Sequence, residues 1–252
     1  MQLRLMTYNI HKCIGGVDRR YLPERICHTI AHYQPDIVLL QEVDDGVSRS
    51  KHHRQIDWLG DALEFPHRLY QSNVKVKQGS YGNAILSRFP IDRSDDVELT
   101  IGPKKRRRAL VAKLHVTGTD LHSNHKHSRT VIVANVHLGL AGFERRIQVK
   151  RLLDCDTFKN SHHDTPSIIA GDFNDVWQTL GKSLFAPVGF RSAVGRVLTF
   201  PAVYPLRSLD GIYYRGTLSP SNVFVGHTEL ARKASDHLPL ISQFTINTSD
   251  VA

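Results

Sequence analysis

Two short apolar runs constrain this chain more than any other feature: Ile37-Val38-Leu39-Leu40, and Ile168-Ile169-Ala170 after Ser167. Neither leaves a polar position at every second residue, so each fits a strand buried on both faces rather than a half-exposed one. The opening residues differ, since Leu3, Leu5 and Thr7 alternate with Arg4, Met6 and Tyr8 as in a strand. Pro23 starts a helix that carries Leu22, Ile26 and Ile30 on one face and closes at Gln34-Pro35. A second amphipathic helix is expected over Gln55 to Leu63. Further strands are expected at Asn83 to Ser87, Leu110 to Val116, Thr130 to Val136 and Pro239 to Ile246. Phe143 to Phe158 reads as one helix, with Phe143, Ile147, Leu152, Cys155 and Phe158 at roughly helical intervals. Thr117 to Arg129, with His122, His125 and His127, reads as a polar hairpin loop, because nothing fixes a metal-ligand spacing there. No low-complexity linker or repeat divides the chain, so one α/β domain with two packed sheets, spanning 1–252 with its core at about 3–246, is expected.

At 252 residues and 40% hydrophobic, such a chain can bury a core without disulfides. Cys13, Cys27 and Cys155 lack metal-knuckle spacing and suit reduced thiols in a cytoplasmic setting. No charge-free apolar run approaches the roughly 20 residues of a membrane helix, and the N-terminus lacks the order of a signal peptide. The net charge of +9 is uneven: Lys104 to Arg108 supplies five, leaving about +4 elsewhere. That block suits a phosphate-facing loop or a solvated surface run better than a whole nucleic-acid groove.

The candidate chemistry lies at strand ends. Asn9 ends the first strand, Glu42 follows the Ile37 run and Asp172 follows the Ile168 run. Polar groups there converge on one sheet edge, where α/β proteins bind ligands. Oxygen donors of this kind suit a hard cation such as Mg²⁺. In Gly171-Asp172-Phe173-Asn174-Asp175 a carboxylate and an amide at i and i+2 would share one side of a strand. The alternative is a strand-to-helix turn capped by Asp172 or Asp175. Ser235-Asp236-His237-Leu238-Pro239 pairs an acid with an imidazole in a turn stiffened by Pro239.

The ordered motifs Thr7-Tyr8-Asn9-Ile10, Leu40-Gln41-Glu42-Val43, Asn135-Val136-His137-Leu138, Gly171-Asp172-Phe173-Asn174, Leu209-Asp210 and Ser235-Asp236-His237-Leu238-Pro239 resemble the endonuclease/exonuclease/phosphatase superfamily. The resemblance implies an α/β four-layered sandwich, with two central mixed β-sheets flanked by helices and the site at one rim. It implies a phosphoesterase using Mg²⁺ or Mn²⁺, with Glu42 as principal metal ligand, Asn9 as its partner and Asp236 as a metal-side acid. Asp172 and Asn174 match the residues that handle water and the phosphoryl group. Asp210 matches the support of the catalytic histidine, His237, and His137 stands where relatives acting on small or lipid phosphates carry histidine. Whether Asp172 or His237 is the base stays open. Asn83, Arg108 and Arg145 are expected on the substrate phosphate. With no long insertion to grip a duplex, a lipid headgroup or small phosphate leads as substrate, and peripheral contact with an anionic membrane goes with it. A DNA or RNA nuclease follows, and a non-catalytic binding protein is the third reading.

Overall fold

The computed structural model describes residues 1–119 and 126–247. Its strands form two six-stranded mixed sheets. The first contains β1 (Gln2–Asn9), β2 (Ile37–Asp45), β3 (His67–Lys75), β4 (Ser80–Ser87), β11 (Leu218–Val225) and β12 (Leu240–Ile246), in the order β11-β12-β1-β2-β4-β3. The second contains β5 (Ile91–Glu98), β6 (Arg108–Thr119), β7 (Lys126–His137), β8 (Ser167–Asp172), β9 (Arg191–Ser192) and β10 (Asp210–Arg215), in the order β5-β6-β7-β8-β10-β9. Helices α1 (Pro23–Tyr33), α2 (Gln55–Ala62) and α5 (Glu229–Ala234) accompany the first sheet, and α3 (Gly142–Leu153) and α4 (Asp156–Lys159) the second.

The apolar runs explain the layering. Ile37 and Leu39 point into the inter-sheet core with Leu5, Leu114, Val133 and Ile168, whereas Val38 and Leu40 point outward to Ile26, Ile30 and Ile56. Ile168 and Ala170 face the other sheet, while Ile169 meets Val149, Leu152 and Phe158. Each such side chain contributes about 1.5–3 kcal/mol on burial, so both faces of both runs hold the layers together.

Register then sets the rim. β1 and β2 are parallel, as are β7 and β8, with His137 opposite Asp172. β12 runs antiparallel to β1, and β10 antiparallel to β8 with Asp210 opposite Asp172. The ends of β1, β2, β7 and β8 and the beginnings of β10 and β12 therefore share one edge. Polar pins tie the sheets just beneath it. Gln41 Nε2 donates to Asn135 Oδ1 at 2.7 Å, and Asn135 Nδ2 donates to the Leu40 and Ala84 carbonyls at 2.8 and 2.9 Å. These buried bonds between side chains of one sheet and backbone or side chains of the other fix one relative placement of the layers, although Gln41 Oε1 has no partner among the described residues.

Two expectations need correction. The helix expected at Phe143–Phe158 breaks after Leu153, and Phe143 and Ile147 are exposed, while Glu144, Arg145, Gln148, Val149 and Leu152 are buried. The buried polar side chains serve the adjoining loops: the Gly139 N–H donates to Gln148 Oε1 at 2.8 Å, and Arg145 Nη1 donates to the Leu140 carbonyl at 2.6 Å. The apolar pattern therefore holds at Leu152 and Phe158, which are buried in the core, and fails at Phe143 and Ile147, where the buried side chains are polar. The polar stretch from Thr117 to Arg129 is largely strand at both ends, paired from Thr117–Ser128 to Thr119–Lys126. His127 lies on β7, and His122 and His125 lie outside the described residues.

Candidate active site

Backbone conformation does much of the positioning. A bulge interrupts the β2–β4 ladder between Leu40 and Val43, and Glu42 within it is left-handed, with φ 57°. Bulges re-aim side chains, and such a φ in a non-glycine residue is held only when its surroundings enforce it. Next to it, His11, Lys12 and Cys13 are all left-handed in the turn after β1, and that turn brings the Lys12 ammonium onto the Glu42 carboxylate. Gly171 has φ 149°, and a Cβ there would lie 2.0 Å from the Val136 carbonyl oxygen. Only glycine lets β8 approach β7 so closely and deliver Asp172 beside His137.

Asp172 is the hub. Its Oδ2 accepts from Asn9 Nδ2 at 3.1 Å and lies 3.5 Å from His137 Nε2 and 3.8 Å from His237 Nε2. Its Oδ1 accepts from the Asn174 N–H at 3.0 Å. Asn174 does not reach this place by strand alternation: β8 ends at Asp172 and Asn174 turns back with φ 51°. The Asn174 amide donates to the Leu138 carbonyl at 3.0 Å, which leaves its second N–H for another acceptor.

His237 is held from behind. Its Nδ1 lies 2.8 Å from Asp210 Oδ2, which also accepts from the Thr199 hydroxyl at 2.5 Å. With Nδ1–H donating to the carboxylate, Nε2 is turned toward Asp172. The Phe200 ring packs 5.0 Å from the imidazole, centroid to centroid. The Ser235 hydroxyl donates to the Asn9 carbonyl at 2.7 Å, locking the β12 entry turn to the end of β1. Asp236 points to a more open side, with Oδ2 3.9 Å from His11 Nε2.

Burial and mutual charge divide the protonation states. Burial pushes the Asp172 carboxyl up to about 7, with the Asp210 charge adding to it against His237 and the bonds from Asn174 and Asn9. Burial opposes charge on His237, but the Asp210 carboxylate and its hydrogen bond prevail and raise it to about 10. Burial, reinforced by Arg107, pushes His137 well down, so that ring is neutral. Burial also opposes charge on Glu42, yet its cationic surroundings keep it below the usual carboxylate range. With His137 neutral, Lys12 is the charge we hold responsible, helped by its hydrogen bond.

The residues expected on the phosphate fall elsewhere. Arg108 stands opposite Glu98 in the ladder, and its guanidinium pairs with Glu98 and Asp96 on β5. Asn83 donates to Gln71 and to the Arg108 carbonyl, leaving only a buried acceptor oxygen, the wrong polarity for an anion. Arg145 braces the rim from below, between the Leu140 carbonyl and Asp175. The buried member of the basic block is Arg107, which immediately precedes β6 at the rim and feels the charges of Asp172 and Glu42. Sequence reading missed both Arg107 and Lys12; the usable signal for the first was the acidic alternation Asp96, Glu98, which engages Arg108.

The sequence profile described as the Endonuclease/Exonuclease/phosphatase family matches residues 6–237. The chain belongs to this family. It is 29% identical over 255 residues to the uncharacterized Escherichia coli protein YbhP, covering 95% of each chain. A family structure from Beutenbergia cavernae superposes with a TM-score of 0.77 at 23% identity, covering 100% of this chain and 73% of that one. A humanized Danio rerio TDP2 gives a TM-score of 0.69 at 20% identity, over 97% of this chain and 99% of that one. Danio rerio TDP2 complexed with single strand DNA product gives a TM-score of 0.64 at 19% identity, over 97% of this chain and 99% of that one.

Members of the family are in general phosphoester hydrolases that use divalent metals, and the donors at this rim fit one. The Glu42 carboxylate is ionised and already attracts a cation, the Lys12 ammonium, as a hard-cation ligand would. Among the described residues, two His/Asp groupings are close enough to hold a metal ion: Asp172, Asp210 and His237 at the rim, and His162, His163 and Asp164 away from it, with both of those histidines exposed.

Proposed function

We propose that this rim hydrolyses phosphate esters by in-line attack of water. The observation that carries the reading is the convergence of Asn9, His137 and His237 on one oxygen of a buried Asp172. A carboxyl pushed toward neutrality suits a general base, because it binds a proton strongly enough to take one from water near pH 7. His237, kept cationic by Asp210, is fitted to stabilise charge on the phosphoryl group, with His137 and the free Asn174 N–H as further polar partners. Glu42 and Asn9 would hold the ion, with Asp236 as a further acid on the more open side, near His11. A Mg²⁺ or Mn²⁺ there supplies Lewis-acid polarisation of a phosphoryl oxygen and offsets charge on the leaving group.

For the substrate we infer a lipid headgroup or other small phosphate. Loops leaving the rim expose Leu140, Trp177, Tyr204 and Leu206, and the first turn of α3 exposes Phe143, with Trp177 and Leu140 each 77% exposed. Aliphatic side chains gain nothing from base stacking but enter a lipid interface, and the Lys104-to-Arg106 run beside Phe143 suits anionic headgroups. A nuclease is the second reading, favoured by the zebrafish structure with single strand DNA product and by Trp177 and Tyr204 as stacking surfaces. Hydrolysis of phospholipids, inositol phosphates and nicked, abasic and single-stranded DNA, each with Mg²⁺, Mn²⁺ or chelator, tests both. Turnover of the phospholipids or inositol phosphates, abolished by chelator and by Asp172→Asn, is expected. Cleavage of DNA alone sinks the substrate reading, and chelator-resistant turnover sinks the mechanism.

A further inference from the structure

Arg107 is anomalous among the cations of this protein. It is only 7% exposed, and among the described residues no hydrogen bond or ion pair reaches its guanidinium. The other members of the basic block near it are engaged or exposed: Lys104 pairs with Glu144, Arg106 and Arg108 with Glu98. A guanidinium cannot shed its proton to escape desolvation, so burying one without a partner is costly. Burial outweighs the attraction of Asp172, Glu42 and Glu144 at this position. The nearby acids therefore do not account for it as an ordinary internal ion pair.

Its surroundings point to an anion. Arg107 immediately precedes β6, whose Ala109 pairs with Val136 beside His137, so it stands at the rim end of the second sheet. The Lys105 ammonium stands 5.1 Å from the centroid of Tyr81, with no carboxylate within 4 Å among the described residues. Tyr81 also has the Lys12 ammonium at 5.8 Å and the Arg49 guanidinium at 5.3 Å, but those two are tied to Glu42 and Asp44. Two cations near the start of β6 thus have no carboxylate partner among the described residues, Arg107 buried and Lys105 exposed.

We propose that Arg107 is the fixed seat for an oxygen pair of the substrate's phosphoryl group, with Lys105 as a second, adaptable contact. This rests on the reading of the rim as a phosphate-ester site and adds a residue that neither the resemblance nor the sequence assigned. A planar fork that meets phosphate bidentately fixes its orientation, whereas a lysine on an exposed loop contributes mainly attraction. Arg107 then orients the phosphorus for attack by the water at Asp172.

The test is binding of inorganic phosphate to chelator-treated protein, read by isothermal titration and by the rise of the thermal midpoint with phosphate. Arg107→Met should weaken phosphate binding about 10- to 100-fold, the range for losing charged hydrogen bonds. Without phosphate its midpoint should equal or exceed that of wild type, since an unpaired buried charge has been removed. Arg107→Lys, which keeps the charge, should still lose most of the affinity because the fork is gone, and it serves if the methionine variant is insoluble. Lys105→Met should weaken binding by only a few-fold and reduce its salt dependence. Phosphate affinity unchanged in Arg107→Met or in Arg107→Lys would overturn the assignment, as would a fall in the phosphate-free midpoint of Arg107→Met, which would mark it as a structural counter-charge. Failure of every ester to be hydrolysed while Arg107-dependent phosphate binding persists would refute the catalytic reading and leave this seat standing. Turnover with KM and phosphate inhibition unmoved in Arg107→Lys would do the reverse.

Discussion

Replacing Gly171 by alanine tests how the fold builds the site. The added Cβ would lie 2.0 Å from the Val136 carbonyl oxygen and 2.9 Å from the Val136 carbonyl carbon and nitrogen. An ordinary C···O approach is about 3.3 Å, so β7 and β8 must part by roughly 1 Å. Every obstructing atom is backbone, so no side-chain rotation relieves the clash. Overpacking costs about 1–3 kcal/mol, and the φ of 149°, easy for glycine, adds about 1–3 kcal/mol for an L side chain. A loss of about 2–6 kcal/mol corresponds to a midpoint drop of roughly 4–24 °C for a chain this size. Asp172 is the next residue, and a 1 Å misplacement of a reacting group costs on the order of 10²-fold in rate. Urea denaturation and single-substrate kinetics on Gly171→Ala should therefore show both losses. Gly195→Ala, with nothing within 4 Å of its Cβ, is the control and should stay within about 0.5 kcal/mol. Wild-type stability and kcat in Gly171→Ala would refute the reasoning.

Three further outcomes follow from the site. Asp172→Asn and His237→Gln should each lower kcat about 10²–10³-fold while circular dichroism and midpoint show a folded protein; near-wild-type rates would remove them from the chemistry. In chelator-treated protein, His237 is raised from 6.5 to about 10, so its stabilising contribution is complete below pH 6.5 and disappears as pH climbs toward 10. Asp210→Asn should flatten the fall in thermal midpoint across that window, and an unchanged slope would contradict the pairing. Lys12→Met should tighten Mn²⁺ binding about 10-fold by isothermal titration, because the ammonium competes for Glu42; weaker binding would show that Lys12 helps assemble the site.

Much of this was legible in the chain because strand-end chemistry leaves local marks. Continuous apolar runs identified β2 and β8 as doubly covered, and parallel pairing then carried Asn9, His137 and Asp172 to one edge. What stayed hidden depends on contacts across the layers. Whether Arg107 or Arg108 enters the site is decided by Asp96 and Glu98 on β5, which capture Arg108. The buried face of α3 escaped in part because it mixes the apolar Val149 and Leu152 with Arg145 and Gln148, which hold loops. The left-handed bulge at Glu42 and the turn at Lys12 have no glycine to announce them. Periodicity reads burial well where burial is apolar, and reads it poorly where buried polar groups support a site.

The most direct measurement is an anomalous-difference map from crystals grown with Mn²⁺. A peak bonded to Glu42 within the rim that holds Asn9 and Asp172 is the predicted result. A fully occupied ion at His162, His163 and Asp164, with no density at Glu42, would contradict the account.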